Sequence, residues 1–390
     1  MSDVRSIAIV SPRYASGATV GGAETLLREI GRRLARRGLR VTFLATCAQN
    51  HFTWANELPE GRETDGELDV LRFPVDSDRD PHLFLSLQSR LDRHASLTRA
   101  EEETWMRHSV HSRALYDHLR GEGERYDRII AGPYLFGVTY AAAQIHPGKT
   151  LLVPCLHDEP FAHTSVIRDM FHAVRGCVFN SDPERALAAR LFSFPAERGA
   201  VGGMGLDPFD ADPDAFAQRH GLTDPYVLYS GRREPLKGTS LLLEYIACFR
   251  ERTGHPLTLA LTGSGEVESH PFVRDFGFLP EAEKREAMAG ARVFIHPSRL
   301  ESFGIVLLEA FGAGTPGLVH AGSEVLRDQC ERSGGGWWFR HYPDFETMLA
   351  RLLDRTDERK AMGARGRDFV RRVYSWPEVE ARWMRAMERL

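Results

Sequence analysis

Ser6-Ile-Ala-Ile-Val10, a small-residue loop from Ser11 to Gly22, the run Ala23 to Arg37 and then Val41-Thr-Phe-Leu-Ala45 form the stretch that decides the fold. The first run is apolar and of strand length. Ala23 to Arg37 carries Leu26, Leu27, Ile30 and Leu34 at helical spacing, and Gly38 stops it before the second apolar run. Strand, glycine loop, helix and strand make the start of a βαβ unit, which predicts a parallel sheet. Working outward, further strands are expected at Leu68–Phe73, Arg128–Ala131, Thr150–Val153 and Gly176–Phe179. Between Pro81 and Glu124 the chain is charged and histidine-rich without turn punctuation, and it reads as one or two surface helices. The arginines of the first helix (Arg28, Arg32, Arg33, Arg36, Arg37) read as a solvated outer face, with an anionic membrane surface as the alternative.

A second unit begins after Val201-Gly-Gly-Met-Gly205, a glycine-rich stretch suited to a linker. Strands are expected at Tyr226–Ser230, Leu257–Leu261, Arg292–Ile295 and Gly317–Val319, with helices at Thr239–Glu251, Glu281–Ala289 and 304–312 between them. The alternation predicts two similar doubly wound α/β domains, with ligand loops at the carboxyl ends of the strands.

The 390 residues suffice for two domains, and 42% apolar with 27% charged residues is ordinary for a globular protein. A net charge of −4 gives no reason to expect nucleic acid as a partner. Five scattered cysteines without a CxxC pair read as reduced thiols. The start Met-Ser-Asp-Val-Arg lacks the features of a signal peptide, and no apolar run reaches membrane-spanning length. The expected location is therefore cytoplasmic, peripheral at the inner membrane face if the arginine stripe meets lipid. Sixteen histidines form neither HxH nor HExxH, so no metal site is expected.

Glu301-Ser-Phe-Gly-Ile-Val-Leu-Leu-Glu-Ala-Phe-Gly-Ala-Gly314 follows a predicted strand and reads as loop then helix. That helix is apolar nearly all round, yet it contains Glu309, a carboxylate costly to bury without a partner. The helix N-terminus beside Ser302 and Gly304 offers free N–H groups and a positive dipole end, a seat for an anion with a carboxylate on either side. The other reading makes Glu309 half of a structural salt bridge and Glu301 a solvated loop residue. Gly231-Arg-Arg-Glu-Pro-Leu-Lys-Gly238 follows another strand. Its Arg232 and Lys237 offer a fork and a point charge suited to a diphosphate, or else a basic turn capping a helix. Gly21 and Gly22 precede a helix, a geometry that permits close approach by phosphate or sugar. His157, in Pro154-Cys-Leu-His-Asp-Glu-Pro160, follows a strand and is either structural or at a cleft edge.

The paired glutamates around Phe-Gly and the Gly-Arg-x4-Lys-Gly loop resemble the donor-site motifs of the family-4 retaining glycosyltransferases. Gly263-Ser-Gly-Glu266 matches that family's Gly-x-Gly turn. The resemblance extends along nearly the whole chain, through Gly22-Ala-Glu24, Thr46-Cys-Ala48 with Trp54 and Asn56, Asn180-Ser181, Gly334-Gly-Gly336 and Ser375-Trp376. It implies a GT-B-like fold, two Rossmann-like doubly wound domains facing each other across a cleft. In that family the last helix returns to the first domain, giving 1–203 plus 374–390 as acceptor domain and 204–373 as nucleotide-sugar donor domain.

By the same resemblance Arg232 and Lys237 hold the donor pyrophosphate, and Glu309 the ribose hydroxyls. Glu301, with the backbone of Phe303 and Gly304, holds sugar hydroxyls, and Ile305 belongs to the donor-binding set. Gly21, Gly22 and Gly263 approach the donor, and Phe278 and Leu279 lie where the backbone meets the base, Phe278 being alternatively a core residue. His157 would contact the donor sugar, while Asp158 and Glu159 would face the acceptor. Two departures stand out: Gly203-Met-Gly-Leu-Asp207 replaces the family's usual Asn-Gly-Val-Asp, and Trp337-Trp338 follows a glycine run.

The expectation is a retaining hexosyltransferase. It would use a nucleotide-sugar donor (UDP or GDP) and a glycan, lipid-linked or small-molecule acceptor, without metal, cofactor or protein nucleophile. A nucleotide-sugar epimerase of the same two-domain plan and a non-catalytic nucleotide-sugar binding protein are the alternatives.

Overall fold

The computed structural model describes residues 4–14, 21–234 and 237–390. Much of the small-residue loop before Gly21, and Pro235 and Leu236 of the basic loop, lie outside the described residues. The chain forms two compact units, one running to Met204 and taking in Val379–Leu390, the other Gly205–Glu378.

The first unit is built on strands β1 (Ser6–Val10), β2 (Arg40–Thr46), β3 (Gly61–Asp65), β4 (Leu68–Phe73), β5 (Arg128–Ala131), β6 (Thr150–Leu152), β7 (Gly176–Phe179) and β8 (Gly199–Val201). They lie in the order β3-β4-β2-β1-β5-β6-β7-β8. Every described pairing is parallel except β3 with β4. Ile7, Ile9 and Val10 of β1 are fully buried, as expected of a parallel strand covered on both faces. The helix Gly22–Arg36 turns Leu26, Leu27, Ile30 and Leu34 inward. Its arginines are largely answered within the unit: Arg28 and Arg32 pair with Glu29, Arg32 also with Asp65, and Arg37 with Glu380.

The region 81–124 departs from expectation. It holds three helices, Pro81–Asp92, Arg99–His108 and Arg113–Glu122, and they are not merely superficial. Trp105, Met106, Leu115 and Leu119 are each at most 2% exposed, and Trp105 stacks between Phe84 and Phe161. Apolar residues spaced along charged helices did the burying.

The second unit has β9 (Tyr226–Ser230), β10 (Thr258–Thr262), β11 (Val273–Asp275), β12 (Val293–His296), β13 (Gly317–His320) and β14 (Gly336–Phe339), ordered β11-β10-β9-β12-β13-β14 and all parallel. The order reverses between β9 and β12, which makes the loops leaving those two strands the switch point of the sheet. Trp337 lies on β14 and packs against the core of this unit, with the Arg351 guanidinium 5.1 Å from its ring centre. Residues 374–378, expected with the first unit, count with the second. The Leu206 amide donates to the Tyr374 carbonyl at 2.7 Å, holding the two stretches side by side.

Candidate functional site

The switch point brings together the two loops singled out in the sequence. β9 ends at Ser230, and the loop that follows rests on the next turn: the Gly231 amide donates to the Thr262 carbonyl at 3.0 Å. A Cβ on Gly263 would stand 2.2 Å from the Gly231 carbonyl oxygen, so only glycine allows the two backbones to stack. The adjacent arginines divide the work. Arg233 is 9% exposed, reaches the Gly265 carbonyl at 2.7 Å and pairs with Asp275, so it fastens the loop. The Arg232 side chain is 47% exposed and, among the described residues, pairs with Glu234 at 3.0 Å. Lys237 crosses to the loop after β12, its Nζ 2.7 Å from Glu301 Oε1.

The Glu301 side chain is 13% exposed. Burial alone would raise its pKa, but the Lys237 ammonium and the His296 ring hold its carboxyl well below the usual range. His296, the last residue of β12, presents Nε2 at 3.3 Å to the same oxygen that Lys237 takes. The Phe303 side chain is buried edge-on to Tyr374, while its carbonyl accepts from Gln329 Nε2. Gly304 caps the helix Ile305–Ala313 in the left-handed region, at φ 66°, and a Cβ there would meet Leu326 at 2.5 Å. One turn on, Glu309 Oε1 receives Lys284 at 3.0 Å, and Oε2 is buried with no partner among the described residues. Burial pushes its pKa up, with Lys284 opposing and Glu281 reinforcing. Both readings of Glu309 thus keep a foothold: one oxygen is salt-bridged, the other unserved.

Phe278 is 63% exposed, which removes its core-packing reading; Leu279 beside it is half-buried. In the first unit, Gly21 caps the helix Gly22–Arg36, its amide donating to Glu24 at 3.0 Å. Glu24 is locked to Arg13 through two hydrogen bonds, both residues buried. A Cβ on Gly22 would meet nothing within 4 Å, so no described neighbour demands glycine there. His157 lies 3.6 Å from Glu159, whose carboxylate turns inward to accept from the fully buried Tyr134 at 2.6 Å. Asp158 faces His163 at 3.0 Å and Arg190 at 3.6 Å.

Three residues near these positions were missed in the sequence: Arg233, His296 and Glu184. Glu184 is 1% exposed and accepts from the amides of Leu156 and Asn180, tying the His157 loop to the end of β7. Burial pushes its carboxyl up to about 8 despite those amides. The Ser181-Asp-Pro-Glu184 spacing of a helix cap was the available signal. Among the described residues, Asp76, Asp78 and His111 bring ligating atoms within 4.8 Å of one another, but Arg113 already pairs with both carboxylates. No described helix is long and apolar enough to cross a membrane.

Residues 210–369 match the family model Glycosyl transferases group 1. The glycogen synthase of Thermus thermophilus is 34% identical over 138 residues, 33% of this chain and 31% of that protein. A phosphatidyl-myo-inositol mannosyltransferase of Mycobacterium tuberculosis is 30% identical over 257 residues, 58% of this chain and 66% of that one. The matches therefore span under a third of the first relative and just under two thirds of the second. Among solved structures, sucrose-phosphate synthase from Thermosynechococcus elongatus superposes with a TM-score of 0.73 at 16% identity, covering 98% of each chain. HepE of Anabaena, in complex with UDP and glucose, superposes with a TM-score of 0.72 at 16% identity, covering 99% of this chain and 100% of that one. The chain has the GT-B fold, and its residues 210–369 are similar to the Glycosyl transferases group 1 family.

Proposed function

We propose that the protein is a retaining glycosyltransferase of the family-4 type, moving a hexosyl-type sugar from a nucleotide-diphosphate sugar, UDP or GDP, to a glycan, lipid-linked or small-molecule acceptor. The observation that carries this reading is the Lys237–Glu301 contact at the switch point, inside the matched segment. It sets a cation for a diphosphate beside a carboxylate for sugar hydroxyls. The complexes of HepE with UDP and glucose, and of an Escherichia coli trehalose-6-phosphate protein with UDP-2-fluoro glucose, support a nucleotide-sugar as donor.

In this reading Arg232 and Lys237 neutralise charge growing on the leaving diphosphate, the electrostatic contribution usually largest in catalysis. Glu301 Oε2 and the first-turn amides beside Gly304 and Ile305 hold sugar hydroxyls. Glu309 Oε2 takes a ribose hydroxyl, and exposed Phe278 with Leu279 borders the base. The leaving phosphate helps deprotonate the acceptor on the same face, and cationic side chains stand where a metal would otherwise serve. Gly21, Gly22 and His157 meet the donor sugar; Asp158 and Glu159 belong to the acceptor side. A thermal-shift screen against UDP-, GDP-, dTDP- and ADP-sugars tests donor binding, since a ligand at one hundred times its Kd adds about 2.7 kcal/mol. NMR of the product linkage, with and without chelator, tests stereochemistry and metal independence. An inverted product or a chelator-sensitive rate overturns the proposal.

A further inference from the structure

We propose that His296 is a positioning residue for transfer: from the end of β12 its Nε2–H holds Glu301 Oε1 and so keeps Oε2 aimed at a sugar hydroxyl. The inference rests on the transferase reading of Glu301 given above. His296 is 3% exposed, with Nε2 3.3 Å from Glu301 Oε1. Its Nδ1 is buried and has no partner among the described residues. A proton on Nδ1 would be a buried donor without an acceptor, so the ring carries its proton on Nε2. Tyr229 and Phe294 stand edge-on to its ring, at 6.1 and 6.0 Å between ring centres.

Lys237 takes the same Oε1, at 2.7 Å, and Oε2 has no bond among the described residues. The two holders differ in kind. Lys237 reaches over on a flexible four-carbon stem from the loop that would receive the diphosphate, and its geometry changes when phosphate arrives. His296 sits at the end of a core strand, so its 3.3 Å contact with Glu301 does not depend on that loop. Glu301 is then oriented by the sheet and not by the ligand-dependent loop.

The test uses the full chain and two variants, His296→Phe, which keeps an aromatic ring without a donor, and His296→Gln, which restores one. Imidazole nitrogen shifts of the free protein should show Nε2 protonated and Nδ1 bare; the opposite tautomer overturns the inference whatever the activity. With UDP-glucose and GDP-mannose as probes, His296→Phe should keep UDP and GDP affinity within about twofold. Its kcat should fall roughly tenfold to a hundredfold, the scale of a misplaced reacting group. His296→Gln should recover most of that loss. A wild-type kcat in His296→Phe, a joint loss of nucleotide affinity and kcat, or His296→Gln as slow as His296→Phe would each reject a positioning role. If wild-type protein turns over no nucleotide-sugar and binds none, the transferase reading fails instead, and the nitrogen shifts still decide the tautomer.

Discussion

Lys237 has two partners to serve, the Glu301 carboxylate it holds in the structure and the diphosphate proposed to reach it. Among the described residues the Arg232 guanidinium pairs with Glu234, itself half-exposed. Replacing either cation by Ala should cost roughly 1.5–3 kcal/mol of nucleoside diphosphate affinity by calorimetry. Only Lys237→Ala should also lower apo stability, by about 1–3 kcal/mol at neutral pH, because it leaves Glu301 to His296 alone. Glu301 is held below its unfolded pKa, so this stabilisation is present above about pH 4.3 and lost in acid. The gap between the two proteins should therefore close as pH falls. Glu309 has the opposite sign. Its raised pKa means ionisation opposes folding at neutral pH, and Lys284 retains Glu281 at 2.9 Å if Glu309 is replaced. Glu309→Gln should melt within about 1 kcal/mol of wild type while its nucleotide-induced shift shrinks. A loss of roughly 3–5 kcal/mol with the shift intact would make Glu309 a structural ion partner. At this scale the sequence singled out the carboxylates and cations but not their duties. Arg232 and Arg233 are the same residue type side by side, and the Asp275 and Gly265 contacts mark Arg233 as the fastener while Arg232 stays half-exposed beside Glu234.

At the scale of elements, the Ile305–Ala313 helix begins where it does because Gly304 adopts a conformation that other residues enter with strain. Gly304→Ala would add a methyl group against Leu326 as well as that strain. We expect a loss of roughly 1–3 kcal/mol in denaturant unfolding, the usual range for overpacking. The parallel strands were legible, since β7 and β9 are short uncharged runs buried along their whole length, and β4 alternates buried Leu68, Val70 and Arg72 with partly covered residues. β3 was not: Gly-Arg-Glu-Thr-Asp is an exposed antiparallel edge whose pairing comes from β4 and not from its own residues. β14 was hidden by the glycines that precede it. The helix Arg99–His108 was misjudged because its many charges outvoted Trp105 and Met106, the two residues that reach the core.

At the scale of the molecule, the chain passes between its units twice, at 204–205 and 378–379. The first unit is discontinuous, closed by Val379–Leu390. Trp383 is fully buried there, its Nε1 donating to the Gly203 carbonyl at 2.9 Å, and Arg389 donates to the Gly199 carbonyl. Trp383→Ala should cost roughly 3–5 kcal/mol. Hydrogen exchange should show that loss first around β7 and β8, more than a hundred residues away in sequence. Uniform loss of protection across both units would contradict this.

That discontinuity also sets a timetable for biosynthesis. Once Met204 has been added, the first unit still lacks its closing segment, and the ribosome must finish the whole second unit before supplying it. At common translation speeds the delay is roughly 10–40 seconds. Throughout it the groove that Trp383 will fill lies open on the nascent chain, a natural place for a chaperone to wait.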